Sequence, residues 1–305
     1  MAVFAQYCDP GTPEARFVRI PLGDKNDPTI QVHAGVAYSP SGAVLYDATG
    51  DSGAIDIFST TDWRHIARIS LDGVTAGRNF ASSFASSLIL SADGRVIYVI
   101  DEANRRVVVI ETSTRKRVAS VPTGVGPFAI ALSPDGRHLY VTNSGLFEYK
   151  LIDGLDKNNP IGTGLRFPPF GYPSKDARKG TLVGGHTIPG LGDENDPRGS
   201  SLWTYDLSNP SVPRLEHRLR LGAPIRERRD GVVGGASPTG VVASDDHVYV
   251  ALSHEDEIAE VAAYGKKVEA RIALSPFDGP EFVDREGRPL RGVSPQGLAL
   301  RGDRL

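Results

Sequence analysis

The stretch SSLILSADGRVIYVIDEANRRVVVIETSTRKRVASVPTG, residues 86–124, contains four short apolar runs separated by polar segments. The first run ends at a Ser-Ala-Asp-Gly turn, and the second, VIYVI, consists of β-branched and aromatic residues, which favour strands. A polar loop, a third run, a charged turn and a last run follow. The stretch therefore predicts four antiparallel strands joined by tight connections.

The same pattern returns at residues 35–71, 127–145 and 238–274. Each copy has a Ser-containing turn after its first run and a tyrosine near the end of its second run. Repeated units of four short strands, about 40 residues each, are typical of the blades of a β-propeller. Because a single blade cannot cover both of its apolar faces, we expect neighbouring blades to complete the core.

The repeat register predicts the later strands of each blade. Third strands are predicted at Ala54–Phe58, Val107–Glu111, Ser201–Asp206 and Glu257–Ala262. Fourth strands are predicted at His65–Leu71, Arg117–Pro122, Arg214–Leu221 and Val268–Leu274. Taken alone, Asp256–Arg271 has helix-forming composition. The register favours two strands there, joined at Tyr264-Gly265-Lys266.

Both ends of the sequence hold incomplete units. Phe17–Leu22 matches the last strand of a blade, and Pro295–Leu300 matches the first strand of another. We therefore expect an all-β propeller of about four full blades plus partial blades at both ends, in an incomplete ring or one that the two ends close. Residues 1–305 are interpreted as one propeller domain or a fragment of one.

A long insertion, Leu146–Gly199, separates the second and third strands of the third blade. Loops longer than about 12–15 residues are uncommon in compact domains and are often functional. Its aromatic residues indicate that it packs on other parts of the protein. The insertion is therefore a candidate interaction element.

Composition excludes several classes of protein. Hydrophobic residues make up 40% and charged residues 23%, as in a soluble globular protein. The formal net charge is −3 with dispersed basic residues, which predicts no nucleic-acid partner. No apolar stretch approaches the roughly 18 residues of a membrane span, and no signal peptide is visible. The single cysteine, Cys8, permits no intramolecular disulfide.

The third blade contains Tyr140-Val141-Thr142-Asn143 directly after SPDGRHL. This motif resembles the repeat after which the YVTN β-propeller family is named, and the likeness covers about residues 15–305 outside the insertions. The insertion and its SLWTYDL exit also look like bacterial two-domain proteins, in which such a propeller precedes an alkaline-phosphatase-like phosphoesterase domain. The resemblance implies a periplasmic or extracellular location.

First strands line the central channel of a propeller, so the segments that lead into them are expected at the channel mouth. The residues that we expect to ring one ligand-binding pocket there are His33, Arg78, Asn79, Phe84, Phe128, Thr239 and Gln296. The alternative is that Pro and Gly only shape the turns and that the aromatic rings plug the channel. No cofactor is expected.

Two acidic turns are weak candidates for a hard cation. They comprise Asp153 with Asp156, and Asp193 with Asp196, but neither follows the EF-hand pattern, and we expect no metal. Acidic turn residues are also common simply as turn formers.

The sequence favours a binding scaffold whose partner is a small molecule or a protein domain. The alternative is a hydrolase, either lactonase-like at the channel or a phosphoesterase through a domain absent from this chain. Lactonase-like chemistry needs a carboxylate or histidine and a cation, and His33, Arg78, Asp101 and His254-Glu255 are the available types. These residues do not match the Glu/His/Arg set of lactonase-like relatives one by one.

Overall fold

The computed structural model describes residues 35–148, 174–193, 195–222, 235–274 and 292–302, with a few isolated positions. It also describes the backbones of two strands near the start of the chain, Val3–Tyr7 (β1) and Arg16–Ile20 (β2). These two strands pair with each other in an antiparallel hairpin.

Four antiparallel sheets of four strands each form the body of the protein. Blade one comprises β3 (Gly35–Tyr38), β4 (Val44–Ala48), β5 (Ala54–Ser59) and β6 (His65–Ser70). A two-stranded hairpin, β7 (Gly73–Thr75) and β8 (Arg78–Phe80), connects it to the next blade. Blade two comprises β9 (Ala85–Leu90), β10 (Val96–Asp101), β11 (Arg106–Glu111) and β12 (Lys116–Pro122).

The second half of the chain repeats this plan around the insertion. Blade three begins with β13 (Pro127–Leu132) and β14 (His138–Asn143). The insertion contains α1 (Lys175–Lys179), β15 (Gly180–Val183) and β16 (His186–Pro189). Blade three ends with β17 (Ser201–Asp206) and β18 (Arg214–Arg220). Blade four comprises β19 (Pro238–Ala243), β20 (His247–Leu252), β21 (Glu257–Ala262) and β22 (Val268–Ala273).

Each core lies between two adjacent blades. The apolar clusters join blade one to blade two, blade two to blade three, and blade three to blade four. The first strands contact one another in the order β3, β9, β13, β19. The blades therefore stand side by side around a common axis, and each covers a face of its neighbour.

Backbone irregularities recur at the same places in every blade. A register shift lies between the third and fourth strands of all four sheets. Such bulges increase local twist, which the blades of a propeller need. The residue directly before each third strand has a positive φ: Gly53, Arg105, Ser200 and Asp256.

The strand predictions are confirmed with small differences in bounds. Asp256–Arg271 contains the end of the turn after β20, all of β21 and part of β22, with a 3₁₀ turn at Ala263–Gly265 in place of a helix. Pro295–Leu300 was predicted as a first strand, but it forms no ladder with any strand. The reason is that no second strand lies beside it among the described residues. Phe17–Leu22 was predicted as a fourth strand; β2 pairs only with β1 within the described part.

No helix among the described residues is long and apolar enough to cross a bilayer.

Candidate functional site

The two faces of the propeller carry different connections. In an antiparallel four-stranded blade, the loop between strands two and three emerges on the same side as the link to the next blade. We call this side the upper face. The lower face carries only short turns, at 39–43, 91–95, 133–137 and 244–246 between first and second strands. The long connections between described strands, at 71–84, 144–200, 221–237 and 274–294, start and end on the upper face.

The insertion is fixed to the upper face at its root. The amide of Gly145 donates to the carbonyl of Val125 at 3.0 Å, and the amide of Val125 donates to the carbonyl of Arg198 at 2.7 Å. The amide of Ser200 donates to the carbonyl of Gly145 at 2.8 Å. Both ends of the insertion are therefore hydrogen-bonded to each other and to the link between blades two and three.

Close backbone approach at this root requires glycine. A Cβ on Gly124 would lie 2.3 Å from the carbonyl oxygen of Arg198 and 2.6 Å from Cγ of Asn143. No side chain fits at that distance. The absence of a Cβ at Gly124 is what lets the insertion pack against the link.

A cleft of about 140 Å³ lies between the link and the insertion. It is lined by Val125, 146–148, 190–193, Asp196 and 198–199. Apolar side chains, glycine backbone and charged groups therefore share one small concave surface.

Paired charges border the cleft. Nη2 of Arg105 lies 2.7 Å from Oε1 of Glu148, which joins blade two to the start of the insertion. The hydrogen bond that Arg105 donates to the Glu148 carboxylate raises the pKa of Arg105. Asp196 accepts from Nη2 of Arg198 at 2.8 Å, and this bond lowers the pKa of the Asp196 carboxyl. The Arg105–Glu148 pair thus ties the insertion to blade two, whereas the Asp196–Arg198 pair lies within the insertion.

A second polar centre lies beneath the upper face of blade two. The buried carboxylate of Asp101 accepts from the hydroxyl of Ser83 at 2.9 Å and from the amide of Phe84 at 3.1 Å. It also accepts from Nε of Arg106 at 2.7 Å. Asp101 therefore fixes the segment that leads into β9.

Arg106 is itself almost fully buried, with 2% of its surface exposed. Its Nη2 donates to the carbonyl of Leu71 at 2.7 Å, and its guanidinium lies 3.5 Å from the centre of the Phe80 ring. Burial lowers the pKa of Arg106, and the Asp101 charge opposes this shift. The pair thus joins the link between blades one and two to the body of blade two.

The predicted channel-mouth residues fall into two groups. Phe128, Thr239 and Gln296 follow the residues Pro127, Pro238 and Pro295, so they share one position of the repeat. Phe128 is exposed, Thr239 is buried, and Gln296 is exposed.

Thr239 and Gln296 are brought together by one serine. The hydroxyls of Thr239 and Ser253 lie 2.9 Å apart, and Nε2 of Gln296 donates to Oγ of Ser253 at 3.3 Å.

The remaining residues predicted at the channel mouth are Arg78, Asn79, Phe84 and His33, and the three that the structure describes do not join Thr239 and Gln296. Arg78 and Asn79 are exposed on β8, in the β7–β8 hairpin that contacts the outer strand β12. Phe84 is half-buried beside Asp101. His33 lies outside the described residues. A ligand-binding role for these residues remains a prediction.

The acidic turns act as turn caps where they are described. Oδ1 of Asp193 accepts the amide of Asn195 at 2.9 Å, and Oδ1 of Asp196 accepts the amide of Arg198 at 2.9 Å. Asp153 and Asp156 lie outside the described residues. The described part of the chain holds no group of three or more His, Cys, Asp or Glu side chains placed to hold a metal ion.

Sequence reasoning missed Ser86, which occupies the same repeat position as Phe128 and Thr239. Ser86 is 8% exposed, and its Oγ has no hydrogen-bond partner within the described residues. It also missed the burial of Arg106. An Asp at the end of a second strand followed five residues later by Arg was the signal available for that pair.

Comparisons with known proteins bear on the fold. No family model matches the chain, and no curated protein matches it. Among solved structures, a protein of unknown function from Desulfotomaculum acetoxidans DSM 771 is similar over 88% of this chain, with 14% identity and a TM-score of 0.52. A streptogramin B lyase structure is similar over 95% of this chain, with 10% identity and a TM-score of 0.53.

A third similar structure is a protein assigned as a 6-phosphogluconolactonase from Bacteroides uniformis ATCC 8492. It covers 94% of this chain at 12% identity, with a TM-score of 0.53. The chain spans 65%, 64% and 68% of the lengths of these three structures. At such low identity these likenesses show the fold alone. Together with the four blades, they establish that the chain has a β-propeller fold.

Proposed function

We propose that this chain is a YVTN-type β-propeller that binds a protein domain or a small ligand through its upper face. The proposal is supported by the long connections between the described strands, which start and end on that face, while the described turns of the lower face are short. Binding residues are concentrated in loops that a rigid scaffold positions. The clasped insertion and its cleft supply such a surface.

The proposed setting is a larger extracytoplasmic bacterial protein. This part of the proposal rests on the YVTN motif at Tyr140–Asn143 and on the form of the insertion. The propeller would hold the upper-face loops in one arrangement, so that a partner meets a preformed surface and little ordering is needed on binding.

Hydrolysis is the competing function, and the likeness to the Bacteroides structure motivates it. Glu255 and Arg271 form a carboxylate–guanidinium pair at 2.7 Å, but Arg271 lies on the outermost strand, β22. The first strands that line the channel are at the other edge of the blade. Because this pair involves the strand farthest from the channel, it does not resemble a catalytic pair at the channel, and we favour the scaffold over the hydrolase.

The test compares the two faces by photo-cross-linking. A photoreactive residue replaces Leu182, which is 69% exposed on the insertion, or Thr114, which is exposed in a lower-face turn. In extracts of the source cells, we expect a defined cross-linked partner from position 182 only. Equal yields from position 114 would contradict an upper-face site.

The partner so identified is then purified and titrated against two variants. Arg105→Ala removes the clasp to Glu148, and we expect about tenfold weaker binding, the order of a charge-assisted hydrogen bond. Arg95→Ala, in an exposed lower-face turn, is the matched control and should bind as the wild type does. Turnover of lactones by the isolated chain, without any partner, would support the hydrolase instead.

A further inference from the structure

The cleft between the link and the insertion has the size of a single side chain. Its volume is about 140 Å³. Sites for whole small molecules are typically about 300–1,000 Å³, whereas a cavity of about 150 Å³ holds one benzene-sized group. The cleft therefore has room for one amino-acid side chain of a partner protein, and it is too small for a drug-sized ligand.

Hydrogen bonds fix both walls of the cleft before any partner arrives. The amides of Leu191 and Gly192, in the insertion wall, donate to two carbonyls of α1 at 2.8 and 3.1 Å. On the side of the link, the amide of Val125 donates to the carbonyl of Arg198 at 2.7 Å. A side chain would thus enter a preformed site, which reduces the entropy lost on binding.

These hydrogen bonds also use up many of the donors that line the cleft. Besides the three amides above, the amide of Gly199 donates to the carbonyl of Asp196 at 3.0 Å. The amide of Arg198 donates to Oδ1 of Asp196 at 2.9 Å. The guanidinium of Arg198 donates through Nε and Nη2 to Oδ2 of Asp196 at 3.0 and 2.8 Å. A carboxylate or phosphate ligand, which needs donors from the protein, is therefore poorly matched to the cleft.

Acceptors and negative charge remain. The lining includes the carboxylates of Glu148, Asp193 and Asp196. Glu148 is paired with Arg105, and Asp196 is paired with Arg198. Asp193 is exposed, caps a turn through Oδ1, and forms no ion pair with another described residue. Three carboxylates and two guanidiniums leave one negative charge, which favours a cationic group in the cleft.

The apolar part of the lining selects among cations. Val125, Leu146, Phe147 and Leu191 line the same cleft. An arginine side chain can bury its aliphatic stem against such a wall while its charged head stays near water. The guanidinium stacks on aromatic rings and binds carboxylates through two parallel hydrogen bonds. In number, the non-hydrogen atoms of arginine beyond Cβ also match a benzene-sized group.

We propose that the cleft is a socket for one arginine side chain of a partner protein. The aliphatic stem packs on Leu191 and Phe147, and the guanidinium binds the carboxylate of Asp193. The inference rests on the proposed function, because it names the group through which a protein partner is recognised at the upper face. Arginine is enriched among residues that fill pockets at the centre of interfaces and contribute most to binding.

The test titrates the full chain with N-acetyl-arginine amide and with N-acetyl-citrulline amide. The two probes have the same shape, but citrulline carries a neutral urea in place of the guanidinium. Amide NMR signals of Gly190, Gly192 and Gly199 report on the cleft. We expect saturable shifts with the arginine probe and about tenfold weaker binding of the citrulline probe, the order of one charge-assisted hydrogen bond. Equal affinities for the two probes would overturn the proposal.

A matched pair of variants tests the carboxylate. Asp193→Asn removes the charge, while the amide oxygen of asparagine can still cap the turn. We expect this variant to bind the arginine probe about three- to tenfold more weakly and the citrulline probe as before. Asp93→Asn makes the same change in a lower-face turn, where Oδ1 of Asp93 accepts the amide of Arg95, and should bind as the wild type does. Unchanged affinity of Asp193→Asn for the arginine probe would contradict the socket.

The cross-linking experiment separates this inference from the proposed function. A partner captured from position 182 may bind Asp193→Asn and the wild type equally, without competition from the arginine probe. That result would overturn the socket and leave the upper-face proposal in place. Binding of the arginine probe that depends on Asp193, with no partner captured from position 182, would support the socket and contradict the upper-face proposal.

Discussion

The carboxylate of Asp101 shows how much of the fold depends on one residue. Both of its oxygens accept hydrogen bonds, and one of the donors is the buried Arg106. A buried charge that loses its partner is costly, because the remaining ion stays out of water. Asp101 was an acid/base candidate from the sequence. In the structure its oxygens are used to hold the link into β9.

Asp101→Ala should therefore lower the free energy of unfolding by about 3–5 kcal/mol, the range for breaking a buried ion pair. Urea unfolding followed by tryptophan fluorescence measures the change. Asp93→Ala, in an exposed turn where Asp93 pairs with Arg95, is the control and should cost less than about 1 kcal/mol. Equal unfolding midpoints for the two variants would show that the Asp101–Arg106 pair contributes nothing.

At the scale of the element, the four blades were predictable, whereas the pairing of Pro295–Leu300 was not. The repeat register predicted every strand of the four blades. It also predicted strands within Asp256–Arg271, although the composition of that segment favours a helix. Repetition supplies that information because equivalent positions must have equivalent environments. Pro295–Leu300 has the sequence of a first strand, but a ladder needs a partner, and sequence pattern alone does not report whether one is present.

The insertion was predictable from the sequence, but the contacts at its root were not. The length of the insertion marked it as an interaction element. The clasp between Arg105 and Glu148 and the burial of Ser86 depend on side chains that meet only after the blades pack. Arg105 has a left-handed backbone conformation, with a φ of 49°, which the neighbouring residues do not predict.

The root of the insertion depends on the close backbone approach that Gly124 permits. Gly124→Ala puts a Cβ 2.3 Å from the carbonyl of Arg198, so the root must open while the blades remain packed. We expect limited proteolysis to cleave residues 146–199 at least several times faster, with little change in the circular dichroism of the strands. Gly297→Ala, which meets no atom within 4 Å, is the control. Unchanged cleavage of the Gly124 variant would mean that the root adapts.

At the scale of the whole molecule, tyrosines hold neighbouring blades together. Tyr98 of blade two donates to the carbonyl of Pro210 in blade three at 2.9 Å, and Tyr205 of blade three donates to the carbonyl of Pro122 in blade two at 2.7 Å. Tyr140 lies in the apolar cluster between blades three and four. Burial raises the pKa of Tyr98 and Tyr205, and it raises that of Tyr140 to about 12. Ionisation of these phenols would leave a charge between two apolar sheets.

The propeller should therefore lose stability at alkaline pH. The unfolded tyrosines ionise near pH 10, so the contribution of Tyr140 is complete below about pH 10 and disappears as the pH rises towards about 12. Absorbance at 295 nm and fluorescence, recorded in one titration, should show the last tyrosines ionising together with unfolding. Tyr205→Phe should make the alkaline loss shallower. Full ionisation near pH 10 with the fold intact would contradict burial between the blades.

The insertion leaves and re-enters blade three at two residues that face each other. Asn143 and Ser201 are register partners on adjacent strands, so the intervening chain starts and finishes at neighbouring points of one sheet. Its length and shape are thus uncoupled from the spacing of the strands. A segment inserted between Asn143 and Ser201 can therefore be replaced by another without changing the strands of blade three. The same position suits the display of foreign sequences on the propeller.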